Sequence, residues 1–272
     1  MRKDAPIGVF DSGVGGLTVA REIIRQIPNE RIVYFGDTAR LPYGTKSKDT
    51  IIRYARQIVN FLMSEGVKAI VVACNTASAY ALEEIKDEIE VPIIGVVRPG
   101  ARTAVSVTKT NRIGIIATEG TINSGLYTRF IHEENPDIEV IGKACPLLVS
   151  LVEEGWLHDS ITDQVLERYL ESLKQEDIDT LVLGCTHYPL LRSSIGKIMG
   201  DSVNLVNPAY ETALELKSLL AGRELANVRD VEEPSVMYRF YVSDAAEKFK
   251  NIANMILPFD IKTTKQINID EY

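Results

Sequence analysis

Apolar residues run along this chain in two alternating patterns. Short continuous runs at 7–10 (Ile-Gly-Val-Phe), 31–36, 69–73, 93–97, 113–117, 138–142, 180–184, 203–206 and 236–242 predict strands buried on both faces. Helical spacing fills the gaps. In 47–65, Ile51, Ile52, Ala55, Ile58, Val59 and Leu62 recur at i, i+3/i+4, with Ser47 placed to cap the helix and Gly66 to stop it. The segment 160–174 repeats the pattern with Ile161, Val165, Leu166, Tyr169, Leu170 and Leu173, and Leu17, Ala20, Ile23, Ile24 and Ile27 form a further helix face. Strand and helix in alternation, with apolar strands, predict an α/β fold of parallel sheets covered by helices on both sides.

The pattern also repeats at long range. Ile7-Gly8-Val9-Phe10-Asp11-Ser12-Gly13 resembles Ile113-Gly114-Ile115-Ile116-Ala117-Thr118-Glu119, and Ala69-Ile70-Val71-Val72-Ala73-Cys74-Asn75-Thr76 resembles Thr180-Leu181-Val182-Leu183-Gly184-Cys185-Thr186-His187. Two units follow, one over about 7–98 and one over about 113–208, and they predict two pseudo-symmetric domains. Pro and Gly punctuate Arg98-Pro99-Gly100-Ala101, which reads as a hinge between them. From 209 onward there is a helix (209–221), a charged loop (222–235), a strand and a last helix (244–256). That tail carries too little core to stand alone and is expected to pack on one of the two units.

Composition narrows the function. The 272 residues are 45% hydrophobic and 25% charged with a net charge of −8, an ordinary globular balance. No basic cluster suggests a nucleic-acid partner, and no apolar run reaches the ~18–20 residues of a membrane span. The first residues lack the apolar core of a signal peptide, so a cytoplasmic location is expected. Three cysteines, Cys74, Cys145 and Cys185, are an odd number with no CxxC, which argues against a disulfide framework or a zinc site. Cys145 reads as an inert small hydrophobe.

The polar residues that matter follow strands, where open α/β sheets bind ligands. Asp11-Ser12-Gly13-Val14-Gly15-Gly16 opens a helix but is neither a dinucleotide fingerprint, since Thr18 stands where GxGxxG needs glycine, nor a phosphate loop. It offers a carboxylate and a hydroxyl to a cleft, or else a cap in a tight turn. Gly36-Asp37 and Pro42-Tyr43-Gly44 are turns with the same ambiguity. Cys74 and Cys185 each end a strand before a helix pattern, a setting expected to lower a thiol's pKa through the helix dipole. Asn75, Thr76, Thr186 and His187 beside them can hold a carboxylate or assist a thiol, and Pro189 suits a helix's first turn.

Two thiols facing each other across a pseudo-twofold axis suit a reaction that removes a proton from one face of a carbon and returns one to the other. No lysine sits in a recognisable Schiff-base setting, so a thiolate in a dry cleft would have to take the α-proton while the carboxylate is pinned. The bland alternative is two buried cysteines that end similar strands by descent from one duplication.

Gly8-Val9-Phe10-Asp11-Ser12-Gly13-Val14-Gly15-Gly16-Leu17, Gly36-Asp37-Thr38, Pro42-Tyr43-Gly44, Ala73-Cys74-Asn75-Thr76-Ala77 and Leu183-Gly184-Cys185-Thr186-His187-Tyr188-Pro189 together resemble the bacterial glutamate racemases, a cofactor-independent group within the aspartate/glutamate racemase family. The likeness runs in order from residue 7 to about 212. It implies a first α/β domain of residues 1–98 plus a returning segment 209–272, and a second domain of 99–208. It implies Cys74 as the base for the D-enantiomer and Cys185 for the L-enantiomer, assisted by Asp11, His187 and Glu153. It implies a substrate site lined by Asp11, Ser12, Pro42, Tyr43, Gly44, Asn75, Thr76, Thr186 and His187, with no metal and no cofactor. L/D-glutamate as substrate, a homodimer, and D-glutamate supply for peptidoglycan complete what the likeness implies. Two other readings compete: a racemase of the same group acting on aspartate or another acid, and a non-catalytic two-lobed protein that binds small acids and does not need its cysteines.

Overall fold

A computed structural model describes residues 2–228 and 233–272. Among these residues ten strands form two sheets, and every strand pairing is parallel. The strands are β1 (Ile7–Asp11), β2 (Ile32–Gly36), β3 (Ala69–Val72), β4 (Ile93–Gly95), β5 (Arg112–Ala117), β6 (Glu139–Ala144), β7 (Thr180–Gly184), β8 (Asn204–Val206), β9 (Tyr238–Val242) and β10 (Lys265–Gln266). The first sheet has the order β10-β9-β2-β1-β3-β4, and the second β6-β5-β7-β8. The central strands β1, β2, β3 and β7 are buried along their whole length, as strands covered on both faces must be.

Helices cover both faces because their apolar stripes match the sheets. Lys48–Ser64 buries Ile51, Ile52, Ala55, Ile58, Val59 and Leu62, the face its spacing predicts. Ser47 caps it by accepting the Thr50 N–H, and Gly66 follows its end at φ 72°, where a side chain would be strained. Ser160–Lys174 instead buries Thr162, Leu166, Leu170 and Leu173, while Ile161 is exposed. Asp159 caps this helix through the Ile161 N–H, and the Thr162 hydroxyl donates to the Trp156 carbonyl.

The expected hinge at Arg98-Pro99-Gly100-Ala101 is not a loop. These residues lie in the first turns of the helix Val97–Val107. Proline there forfeits no hydrogen bond, because the first N–H groups of a helix have no partner within it. The helix Pro208–Gly222 packs against both Val97–Val107 and Leu17–Gln26, burying Pro208, Ala209, Thr212, Ala213, Leu216 and Leu220, and so ties the two halves together. The strand expected at 236–242 begins at Tyr238, after one helical turn at Pro234–Met237. The charged loop expected over 222–235 lies partly outside the described residues. No helix among the described residues is long and apolar enough to cross a membrane.

Candidate active site

The carboxyl ends of β1 and β3 in one sheet, and of β7 in the other, converge on one small cavity. β1 delivers Asp11. Its carboxylate accepts the Gly13 N–H at 2.9 Å and the Thr186 hydroxyl at 3.2 Å. Asp11 does not cap the next helix, whose N-cap is Gly16. The Tyr34 hydroxyl donates to the Gly13 carbonyl at 2.8 Å and fixes the turn.

β3 delivers Cys74, which is itself the N-cap of the helix Asn75–Tyr80. Its Sγ accepts the Ala77 N–H at 3.5 Å, and its thiol lies 3.8 Å from Ser12 Oγ. β7 delivers Cys185, Thr186 and His187. Here the expected parallel with Cys74 breaks, because the next element is a 3-10 turn at Tyr188–Leu191 with His187 at its N-cap. Cys185 therefore caps nothing, and its partner is His187 Nδ1 at 3.6 Å. His187 Nε2 in turn meets Glu153 Oε1 at 2.7 Å. The result is a chain Cys185–His187–Glu153 in which the carboxylate orients the imidazole that touches the thiol.

The cavity has a volume of about 20 Å³, room for roughly one water. Ser12, Pro42, Tyr43 and Gly44 form one wall, Cys74, Asn75 and Thr76 a second, and Cys185, Thr186 and His187 a third. Asp11 and Glu153 stand behind this lining, Asp11 on Thr186 and Glu153 on His187. The Tyr43 hydroxyl donates to Asp37, so the residue contributes its ring and backbone to the wall. Asn75 accepts the Tyr127 hydroxyl at 2.7 Å, which fixes its amide.

Thr118 also lines the cavity and was not among the expected site residues. Its hydroxyl lies 2.9 Å from that of Thr76 and 3.0 Å from that of Thr121, joining the two halves. The internal repeat aligns Thr118 with Ser12, and that alignment was the signal available. Leu41 and Val149 complete the lining, with no comparable mark in the sequence. Two glycines permit the close approach of the halves. A Cβ on Gly15 would lie 2.4 Å from Thr186 Oγ1, and one on Gly44 would lie 2.6 Å from Thr118 Cβ.

Electrostatics correct one expectation. Burial, reinforced by the charge of Asp11, pushes the Cys74 thiol up to about 12, and the Ala77 N–H and Ser12 do not offset it. The helix terminus acts in the expected direction but is outweighed. Burial also raises Asp11, opposed by His187 and by hydrogen bonds from Gly16, Gly13 and Thr186. For His187 burial acts downward, yet the contacts with Cys185 and Glu153 win and hold it well above its ordinary value. Asp11, from the first repeat, is hydrogen-bonded to Thr186 of the second, so the two halves meet at this carboxylate. Among the described residues no group of three or more His, Cys, Asp or Glu side chains is placed to hold a metal ion.

Two parallel α/β units that each bring one thiol to the lining of a single cavity between them are the arrangement of a racemase type of site. The Asp/Glu/Hydantoin racemase family model matches residues 7–214, and the chain belongs to that family of isomerases. Within it, the glutamate racemase of Geobacter metallireducens is 47% identical over 264 residues, 97% of each chain. The glutamate racemase isoform RacE1 of Bacillus anthracis superposes with a TM-score of 0.93 at 42% identity, covering 98% of each chain. The Francisella tularensis glutamate racemase solved with D-glutamate gives 0.91 at 41% identity, covering 99% of this chain and 100% of that one.

Proposed function

We propose that this enzyme interconverts L- and D-glutamate by a two-thiol mechanism. The observation that carries the reading is the placement of Cys74 and Cys185, from repeated strand ends in two different sheets, on the lining of one cavity. The thiolate of one cysteine takes the α-proton. The electron pair left on carbon is stabilised through the adjacent carboxylate, held by Asn75, Thr76 and Thr186. The thiol opposite donates a proton to the other face, and its sulfur becomes the new thiolate. Net bonding is unchanged except for the configuration at carbon.

The two sides are not equivalent at rest. Cys74, raised by burial and by Asp11, rests as the thiol and is set to donate, whereas Cys185 has an imidazole and a carboxylate behind it. In the direction that begins at Cys74, the positive charge of the substrate's ammonium group favours the Cys74 thiolate against burial and the nearby Asp11 charge, which together hold it protonated. Glutamate has ten heavy atoms and the cavity admits about one water, so the halves must separate for entry and close again to exclude solvent, which strengthens every charge interaction inside.

The long similarity to glutamate racemases supports glutamate over aspartate, a cytoplasmic setting, a homodimer and supply of D-glutamate for peptidoglycan. The experiment is incubation of dialysed protein with L-glutamate, or with L-aspartate, followed by circular dichroism. Loss of optical activity with glutamate and none with aspartate supports the reading. Activity that appears only after adding pyridoxal phosphate refutes it.

A further inference from the structure

One largely buried guanidinium sits next to the site without touching the cavity. Arg40 Nε donates to Asp37 Oδ2 at 2.7 Å, the same oxygen that accepts the Tyr43 hydroxyl. Asp37 is fully buried, its Oδ1 accepts the Ser243 hydroxyl at 2.8 Å, and its own N–H donates to the Asp11 carbonyl at 3.0 Å. Arg40 is held from the far side. Its Cζ lies 4.0 Å above the Tyr54 ring, and its Nη1 donates to Gln57 Oε1 at 2.5 Å and lies 3.6 Å from Asp270 Oδ1. The segment carrying Asp270 is seated by Ile269, which is buried in the core beneath the helix Lys48–Ser64, and by Asn60 Nδ2 donating to the Tyr272 carbonyl at 3.0 Å.

We infer that Arg40 is a positioning residue for the substrate pocket, linking the segment 267–272 and the helix Lys48–Ser64 through Asp37 to the Tyr43-Gly44 wall. The physics is a shared acceptor. A carboxylate that receives two donors on one oxygen and a third on the other has its plane fixed, and the Tyr43 ring is fixed with it. Without Arg40 the buried carboxylate keeps the Ser243 and Tyr43 donors but loses its cation and one of the two donors on Oδ2, so the Tyr43-Gly44 wall is held less firmly. Gly44 lies against Thr118 of the other half, so a displaced wall also spoils closure. Because Arg40, Asp37 and Tyr43 make no hydrogen bond to either thiol, the loss falls on binding and falls equally on both enantiomers.

This rests on the glutamate reading, so the parent enzyme is assayed first. A parent that does not racemise glutamate removes that reading, and the link with it. If the parent is active, Arg40→Gln is expected to raise KM for L- and D-glutamate by the same factor, about tenfold, the equivalent of one lost contact of about 1.4 kcal/mol. The two kcat values should stay within about twofold. Arg40→Lys, which keeps a charged donor, should recover part of the loss. The double change Gln57→Ala with Asp270→Ala should raise both KM values about threefold in the parent and do nothing further in Arg40→Gln, since the effects share one path. If Arg40→Gln does not fold, the Gln57/Asp270 change alone decides: an equal rise supports the link and unchanged KM values overturn it. Unequal factors for the two enantiomers, a fall confined to kcat, or multiplying effects also overturn it.

Discussion

Replacing Glu153 with glutamine isolates the role of charge behind Cys185. The two side chains have the same shape, and the amide oxygen of the variant still accepts a hydrogen bond from His187 Nε2, so only the charge is lost from a 2.7 Å contact. A hydrogen bond to a charged group contributes about 1.5–3 kcal/mol, roughly twice a neutral one. The expected loss is therefore about 1–1.5 kcal/mol, or about one pKa unit on His187. His187 is raised in the folded enzyme, so it keeps its proton to higher pH than a free imidazole. The Glu153→Gln enzyme should lose it about one unit earlier. The assay is kcat against pH in both directions. The alkaline limb of the direction that begins at Cys185 should move down by about one unit, with kcat there lower by about tenfold. Stability gives an independent reading. The raised histidine contributes stability that is present below the unfolded value of about 6.5 and lost as pH rises through its folded value. Parent and variant should therefore differ in Tm near pH 6 and converge at alkaline pH. Superimposable alkaline limbs, or a Tm difference that grows with pH, would refute the argument.

Asp11→Asn and His187→Asn should alter different primary isotope effects. The first acts on the direction that begins at Cys74 and the second on that beginning at Cys185. The equilibrium constant of unity forces kcat/KM to fall equally both ways, so the difference can show only in kcat, KM or the isotope effects; wild-type isotope effects in both variants contradict separate roles. D-glutamate should lower hydrogen exchange around the cavity and contract the protein in small-angle scattering; profiles unchanged by ligand count against closure. Asp179, despite partial burial, is held down to about 2 by hydrogen bonds from Thr108, the Lys109 and Thr110 N–H groups and Thr180. Its stabilisation is present above the unfolded value of about 3.9 and lost as pH falls toward 2. Asp179→Asn should cost about 1 kcal/mol at pH 7, allowing for solvent screening, and much less at pH 2–3; an equal cost at both pH values contradicts this.

The parallel α/β character was legible because buried strands and helix stripes leave different periods in the sequence. Ser47 and Gly66 mark their helix correctly for the same local reason. What escaped was set by contacts distant in sequence. Lys265-Gln266 became a strand because the edge of β9 was available, and two exposed polar residues carry no strand pattern of their own. Pro99-Gly100 looked like a break, yet proline suits a helix's first turn and the tight packing around this helix suits glycine. At the site, the strand-end cysteines and their neighbours stood out through the internal repeat. The His187–Glu153 contact and the placement of Asp11 on Thr186 bring together residues 34 and 175 positions apart. The sign of the shift on Cys74 was misjudged because the helix terminus is a local feature, whereas burial and the Asp11 charge come from the assembled fold.

The central claim is that each thiol serves one face of the substrate. It is tested most directly with glutamate carrying a leaving group on its β-carbon, so that removal of the α-proton ends in elimination and needs only one thiol. Cys74→Ser and Cys185→Ser should both fail to racemise glutamate, since serine is far too weak a base near neutral pH. Cys185→Ser should still eliminate from the D-substrate and Cys74→Ser from the L-substrate, while Cys145→Ser racemises close to the parent rate. Elimination from the same enantiomer by both variants, or a Cys145→Ser enzyme as inactive as the other two, would contradict the two-thiol account.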